Sequence, residues 1–195
     1  VQTPTRFHGD DVGVPPDRAR NSGIAVVVLV TNRGSIRIRM DAARTPCAIA
    51  SFAYLAGRHY FDAVPCHRVV NRSMLQFLAC GDPSGMGYGG PRYEFADEVP
   101  VAPVTPSTQP PTWFYPRGTV ALINNGPGTN GSQFVLVTRD SVSGDQSEPI
   151  GTIVGGLDVV DTVVAAGDDG ASVSGLDGGS PVLTTVIRTA TVTFG

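Results

Sequence analysis

Residues 64–82, VPCHRVVNRSMLQFLACGD, set β-branched and apolar residues on both sides of the polar turn Asn71-Arg72-Ser73, which predicts two paired strands. The pattern recurs outward. Upstream, IAVVVLV (24–30) and SIRIRM (35–40) flank TNRG, and Ile36, Ile38 and Met40 alternate with Ser35, Arg37 and Arg39, as in a β-hairpin with one buried face. Downstream, Gly118–Asn124 and Ser132–Thr138 read as a second pair, Glu148–Val154 as another strand and Val182–Phe194 as a closing strand. Thr45 and Pro46 suit an N-cap and first turn, and Ile49, Phe52, Ala53 and Ala56 repeat at helical spacing up to Gly57. A second helix is predicted over Leu157–Ala166, with Val160, Val163 and Val164 on one face. Pro100, Pro103, Pro106, Pro110, Pro111 and Pro116 exclude a central strand or helix between 99 and 118 and predict a long surface loop. Two helices among about eight strands predict a mainly β protein, a closed antiparallel barrel capped by two helices.

Composition narrows the function. The chain has 195 residues, enough for one sizeable core: residues 1–22 read as an extended leader and 23–195 as the barrel domain. No apolar run reaches the length of a membrane span. The 14 basic residues are all arginine, scattered, against 17 acidic ones, so no concentrated positive surface exists for nucleic acid. Without lysine, amine nucleophiles and Schiff bases are excluded.

Generic motifs add little. The glycines at 81, 85, 87, 89 and 90 are followed by no Lys-Ser or Lys-Thr and read as turn glycines. Asn130-Gly131-Ser132 fits a sequon but reads as a tight turn. Adjacent strand residues point to opposite faces, so Cys66 and His67 do not naturally share a metal, and no metal site is expected. Asp168, Asp169 and Asp177 read as a solvated loop. No serine stands in a nucleophile elbow. Three cysteines, Cys47, Cys66 and Cys80, fit either one bridge plus a free thiol or three buried thiols.

The ordered segments CHRVV (66–70), CGDP (80–83), GGPRYEFADE (89–98) and NNGPGTNGSQF (124–134) resemble the cyclophilins, a family of peptidyl-prolyl cis-trans isomerases. The lengthened hairpin between Arg68 and Gly81, together with Tyr115-Pro116-Arg117-Gly118, resembles a bacterial subtype often tethered outside the membrane. Both a cytoplasmic location and a secreted or anchored one after processing remain open. The resemblance implies an eight-stranded antiparallel closed barrel with two helical caps, isomerisation of X-Pro bonds in prolyl peptides or unfolded segments, and no cofactor. It gives Arg68 and Gln133 as the catalytic residues, Arg68 as the donor and Gln133 to hold the substrate or the arginine in place, and Phe77, Ala79, Ile123, Asn124, Asn125, Val135 and Ser147 as substrate-binding positions.

Several of these positions depart from the family. Ala79 stands where a second glutamine is expected, Val135 where a phenylalanine is, Ile123 and Asn125 replace small alanines, and Ser147 replaces a histidine or tyrosine. Gln76 and Phe77 fall nearest the remaining floor positions. Reduced isomerase activity is one expectation from these changes. Two alternatives follow: a non-catalytic peptide-docking module, or an enzyme acting on a small molecule in the same cleft. Trp113, Phe114 and Tyr115 are read as anchors of the long loop rather than as a cover over the cleft. The resemblance also pairs the strands bearing Cys66 and Cys80 in one hairpin, where a bridge or inert thiols both fit.

Overall fold

A computed structural model describes residues 11–105, 109–171 and 178–195; residues 1–10 of the leader, Pro106 and Asp177 lie outside them. The strands are β1 (Ile24–Thr31), β2 (Ser35–Asp41), β3 (Val64–Pro65), β4 (Arg68–Asn71), β5 (Gln76–Cys80), β6 (Trp113–Tyr115), β7 (Thr119–Leu122), β8 (Phe134–Val137), β9 (Ser141–Ser143), β10 (Glu148–Gly155) and β11 (Val186–Phe194). The helices are α1 (Pro46–Gly57) and α2 (Leu157–Ala166). Nine strands form one curled antiparallel sheet in the order β3-β11-β1-β2-β10-β7-β8-β5-β4, and β6 pairs with β9 in a separate ribbon. The two ends of the sheet, β3 and β4, are consecutive in the chain and separated only by Cys66 and His67.

Period-2 alternation decides which side chains face the interior. Along β5, Leu78 and Cys80 join the main core while Phe77 and Ala79 join a second apolar cluster on the outer face. Along β7, Val120 and Leu122 go inward and Ala121 outward; along β8, Phe134 and Leu136 go inward and Val135 and Val137 outward. These strands read as continuous apolar runs because both of their faces are buried. The described residues of the Pro-rich segment make the predicted loop up to Thr112, but its end folds back as β6, and Tyr115 and Trp113 pack onto the outer cluster. The β9 strand and its pairing with β6 were not expected, and the closing strand begins at Val186 rather than Val182. Both are local: a three-residue strand has too few positions to reveal alternation.

Helix α1 stacks Phe52 on Phe61 and against Phe134, with ring centroids 4.7 and 5.4 Å apart. Thr45 occupies the N-cap position but caps nothing with its side chain. The first-turn amides of Cys47 and Ala48 instead donate to Glu98 Oε1 and Oε2 at 2.7 and 2.9 Å. A distant carboxylate thus does the work of a local cap, placing negative charge where the helix dipole favours it. Glu98 is fixed in turn through its own amide, which donates to buried Glu148; Val99 N does the same at 2.8 Å, and Asn130 Nδ2 donates to Glu148 Oε2 at 2.8 Å. Burial raises the Glu148 carboxyl above its usual value, partly opposed by the two backbone donors.

Cys66 and Cys80 form a disulfide, and Cys47 is an exposed free thiol, which settles the open alternative in favour of one bridge. At the other end of the described chain, Tyr54 donates its hydroxyl to Val12 O at 2.6 Å, and the Arg20 guanidinium lies 4.9 Å from the Phe194 ring centre.

Candidate active site

The outer face of β4, β5 and β8 floors a cleft of about 750 Å³. Its polar end carries Arg68 and Gln133; its apolar end is built from Phe77, Val135 and Val137, walled by Leu75, Ile123, Trp113 and Tyr115. Alternation along the strands explains the assembly, since Arg68 and Val70, Phe77 and Ala79, and Gln133, Val135 and Val137 are each two residues apart. The Arg68 guanidinium sits 5.5 Å from the centre of the Phe77 ring, within cation–π range and half-buried. Partial burial leaves it charged while removing much of the water that would screen it.

Of the positions given by the sequence, Arg68, Gln133, Phe77, Ile123, Asn124, Asn125, Val135 and Ser147 all line this cleft. Ala79 does not. It is fully buried and lies directly across the strand pair from Arg68, beside the arginine on the outer face. Gln76 is likewise no part of the floor: its side chain belongs to the opposite parity and donates to Asn71 Oδ1 at 3.0 Å. Trp113 and Tyr115 anchor the loop as expected, and in addition they line the cleft, which the sequence reading had set aside. Phe114 points away and is exposed.

Hydrogen bonds fix the polar wall. Gln133 Nε2 donates to Gly89 O at 2.8 Å, while its Oε1 is buried and accepts nothing from the described residues. Asn124 Oδ1 accepts from Gly126 N, and Asn125 N donates to Thr129 Oγ1 at 2.8 Å, holding the turn that carries both asparagines. The Tyr115 hydroxyl clasps Ser147 from both sides, accepting from its amide at 2.7 Å and donating to its carbonyl at 3.1 Å. Serine is therefore held by its backbone, and its short side chain leaves the cleft mouth open.

Two further residues, given no role at the site by the sequence, stand beside it. Asp82 is fully buried below the loop that carries Met86, Gly87 and Tyr88 to the cleft rim. Burial alone would raise its carboxyl, but donors from the Ser84 hydroxyl and the Gly89, Ser84 and Gly87 amides outweigh this and hold it below the usual value. His67 lines the cleft beside Arg68, and burial pulls its imidazole down to about 4, with Asp82 opposing the shift and Arg68 reinforcing it. Its neutral ring leaves Arg68 as the cation of this wall.

A stability test follows from His67. Between about 4 and 6.5 the unfolded chain binds a proton that the folded one refuses. The stabilising contribution is therefore complete above pH 6.5 and is lost as pH falls through 4. Thermal melts over this window are expected to drop more steeply for the wild type than for His67→Gln; parallel curves would contradict the buried neutral imidazole.

Among the described residues no group of three or more His, Cys, Asp or Glu side chains could hold a metal ion, and no helix is long and apolar enough to cross a membrane.

The chain thus combines a mainly β sheet curled around its core, two helices, and an arginine over an apolar cleft on the sheet's outer face. The profile of the cyclophilin-type peptidyl-prolyl cis-trans isomerase family matches residues 26–192, and the chain belongs to that family. It is 40% identical over 178 residues to a protein of Mycobacterium tuberculosis described as a probable peptidyl-prolyl cis-trans isomerase B, covering 89% of this chain and 56% of that one. A protein of the same description from Mycobacterium leprae is 42% identical over 166 residues, covering 80% and 55%. The chain thus spans little more than half the length of these relatives. The crystal structure of a Cryptosporidium parvum cyclophilin-type isomerase superimposes with a TM-score of 0.67 at 22% identity, covering 87% of this chain and 98% of the other, a likeness of fold.

Proposed function

We propose that the chain accelerates cis–trans isomerisation of X-Pro bonds in exposed peptide segments, with Arg68 as the catalytic donor and Gln133 as its polar neighbour. The observation that carries this reading is the placement of the half-buried Arg68 guanidinium at the polar end of the apolar cleft, over the Phe77 ring. Rotation about the imide bond meets a barrier of about 18–20 kcal/mol because the nitrogen lone pair is delocalised into the carbonyl. A guanidinium N–H aimed at that nitrogen draws the lone pair back, and a fixed donor in a partly dry site stabilises the twisted state more than the planar ones. The proline ring would rest on Phe77 and Val135, and the backbone of the peptide would run along Asn124, Asn125 and Gln133. No proton is transferred in this scheme.

Phenylalanine is absent from position 135, and the apolar wall is completed by Leu75, Trp113 and Tyr115 from outside the curled sheet. Proline recognition is therefore retained in kind while its wall is built from different residues. The alternatives of a docking module and of a small-molecule enzyme draw no support from the family or the relatives. Trp113 is the single tryptophan of the chain and lines the cleft, so it reports on occupancy directly. Titration with X-Pro peptides is expected to change its fluorescence, and exchange spectroscopy or a protease-coupled assay is expected to show faster isomerisation of the same peptides. A fluorescence response without any acceleration at high enzyme concentration would replace catalysis by docking.

A further inference from the structure

We infer that Asp82, which does not line the cleft, is a positioning residue for Gln133, acting through the Gly89 carbonyl; this rests on the isomerase reading. The carboxylate is fully buried and is the centre around which residues 84–89 are wound. Its Oδ1 accepts from Ser84 N at 2.8 Å; its Oδ2 accepts from the Ser84 hydroxyl at 2.8 Å and from the amides of Gly87, Tyr88 and Gly89 at 2.6, 3.1 and 3.1 Å. Charge-assisted bonds of this kind are the strong ones, and several converge on one group. Gly89 is the joint: its N–H is held by Asp82 while its carbonyl accepts from Gln133 Nε2 at 2.8 Å.

That arrangement fixes the orientation of the Gln133 amide at the edge of the cleft. With Nε2 committed to Gly89, the acceptor Oε1 is presented on the other side, where it is buried and accepts nothing from the described residues. A flipped amide would set Oε1 against the Gly89 carbonyl, acceptor against acceptor. The loop's packing leaves little freedom to yield. A Cβ on Gly89 would overlap Asp82 Oδ1, and one on Gly87, at φ +86°, would come within 3.0 Å of the His67 ring. Asp82 thus orients Gln133 without touching the cleft.

The test combines isomerase kinetics with the side-chain amide resonances of Gln133, on the wild type, Asp82→Asn, Gln133→Leu and the double variant. Asp82→Asn is expected to lower kcat/KM about tenfold and to speed solvent exchange of the Gln133 amide protons. The double variant is expected to be no worse than Gln133→Leu, because two residues acting through one contact do not add. Multiplying losses in the double variant, or an unchanged Gln133 amide in Asp82→Asn, would overturn the inference. Should Asp82→Asn fail to fold, Ser84→Ala removes one side-chain donor and keeps the backbone amides; a smaller effect in the same direction supports the relay, and an unchanged Gln133 amide refutes it. A wild type without isomerase activity would remove the proposed function instead, and the amide resonances would still decide whether Asp82 orients Gln133.

Discussion

Arg68→Ala is expected to lower kcat/KM for prolyl isomerisation by about a hundredfold, the size of effect seen when a single preorganised donor to a transition state is removed. The loss should fall on kcat more than on KM. The apolar wall of Phe77, Val135 and Trp113 stays in place to bind the proline ring, whereas the donor acts on the twisted imide alone. Titration of the variant through Trp113 fluorescence separates the two contributions, and a variant that binds normally but does not catalyse is the expected result. Arg68→Lys retains the charge but not the planar fork of donors, so it should recover only part of the rate. Full activity in Arg68→Ala would show that catalysis resides elsewhere. Truncation also exposes the Phe77 face that the guanidinium now covers, so melting temperatures should accompany the kinetics to separate stability from chemistry.

Reduction of the Cys66–Cys80 disulfide is expected to be the largest single perturbation of stability. The bridge joins residues 14 apart in sequence. On the loop-entropy account, closing a loop of that length stabilises the fold by about 3 kcal/mol. For a chain of this size about 1 kcal/mol shifts the melting temperature by 2–4 °C, so a dithiol reductant, or Cys66→Ala with Cys80→Ala, should lower it by roughly 6–12 °C. Unfolded protein should titrate one thiol before reduction, Cys47, and three after it. Folded Cys47 should react slowly near neutral pH. Partial desolvation of the thiol at the helix end, and then the Glu98 carboxylate through its hydrogen bond and charge, push it up to about 11. The bridge also bears on the site. Cys66 precedes Arg68 by two residues and Cys80 follows Ala79, the residue directly across from Arg68, so the bridge pins the strand pair that aims the guanidinium. Activity lost on reduction at temperatures where the fold persists would reveal this; a melting temperature indifferent to reductant would refute the stabilising role.

The architecture was legible in the sequence wherever a hydrophobic period persisted. Strand β2 alternates for most of its length, and its register pairs Ile38 with Val27 and Ile36 with Leu29, setting the buried face of β1. The continuous apolar runs of β5, β7 and β8 were legible as strands, but not as strands covered on both faces, because periodicity is silent when every position is apolar. That silence hid the outer cluster and the aromatic wall. The ribbon of β6 and β9 joins segments about thirty residues apart with three pairs, a contact that no local pattern announces. At the site, Arg68 and Gln133 were found through the motif, and both line the cleft. Gln76 was misplaced since one residue of register turns a side chain to the other face of the sheet. Ala79 was placed next to Arg68 through the motif, and it does lie across from it, but its short side chain is buried and does not reach the cleft. Asp82 stood in plain view within CGDP, yet its importance lies in five donors supplied by a loop whose path only the folded chain reveals.

The seam between β3 and β4 has a consequence for a protein proposed to handle unfolded polypeptide. Such clients carry unsatisfied amides and carbonyls, and a long bare strand would invite them to extend it into an aggregate. Here the terminal strands are two and four residues long, Cys66 N donates to Thr185 O, and Val69 exchanges both backbone bonds with Gly179, so the margin is largely spoken for. On the proposed function, a visiting chain would thereby be steered away from templated growth and towards side-chain capture in the hollow, from which it can leave.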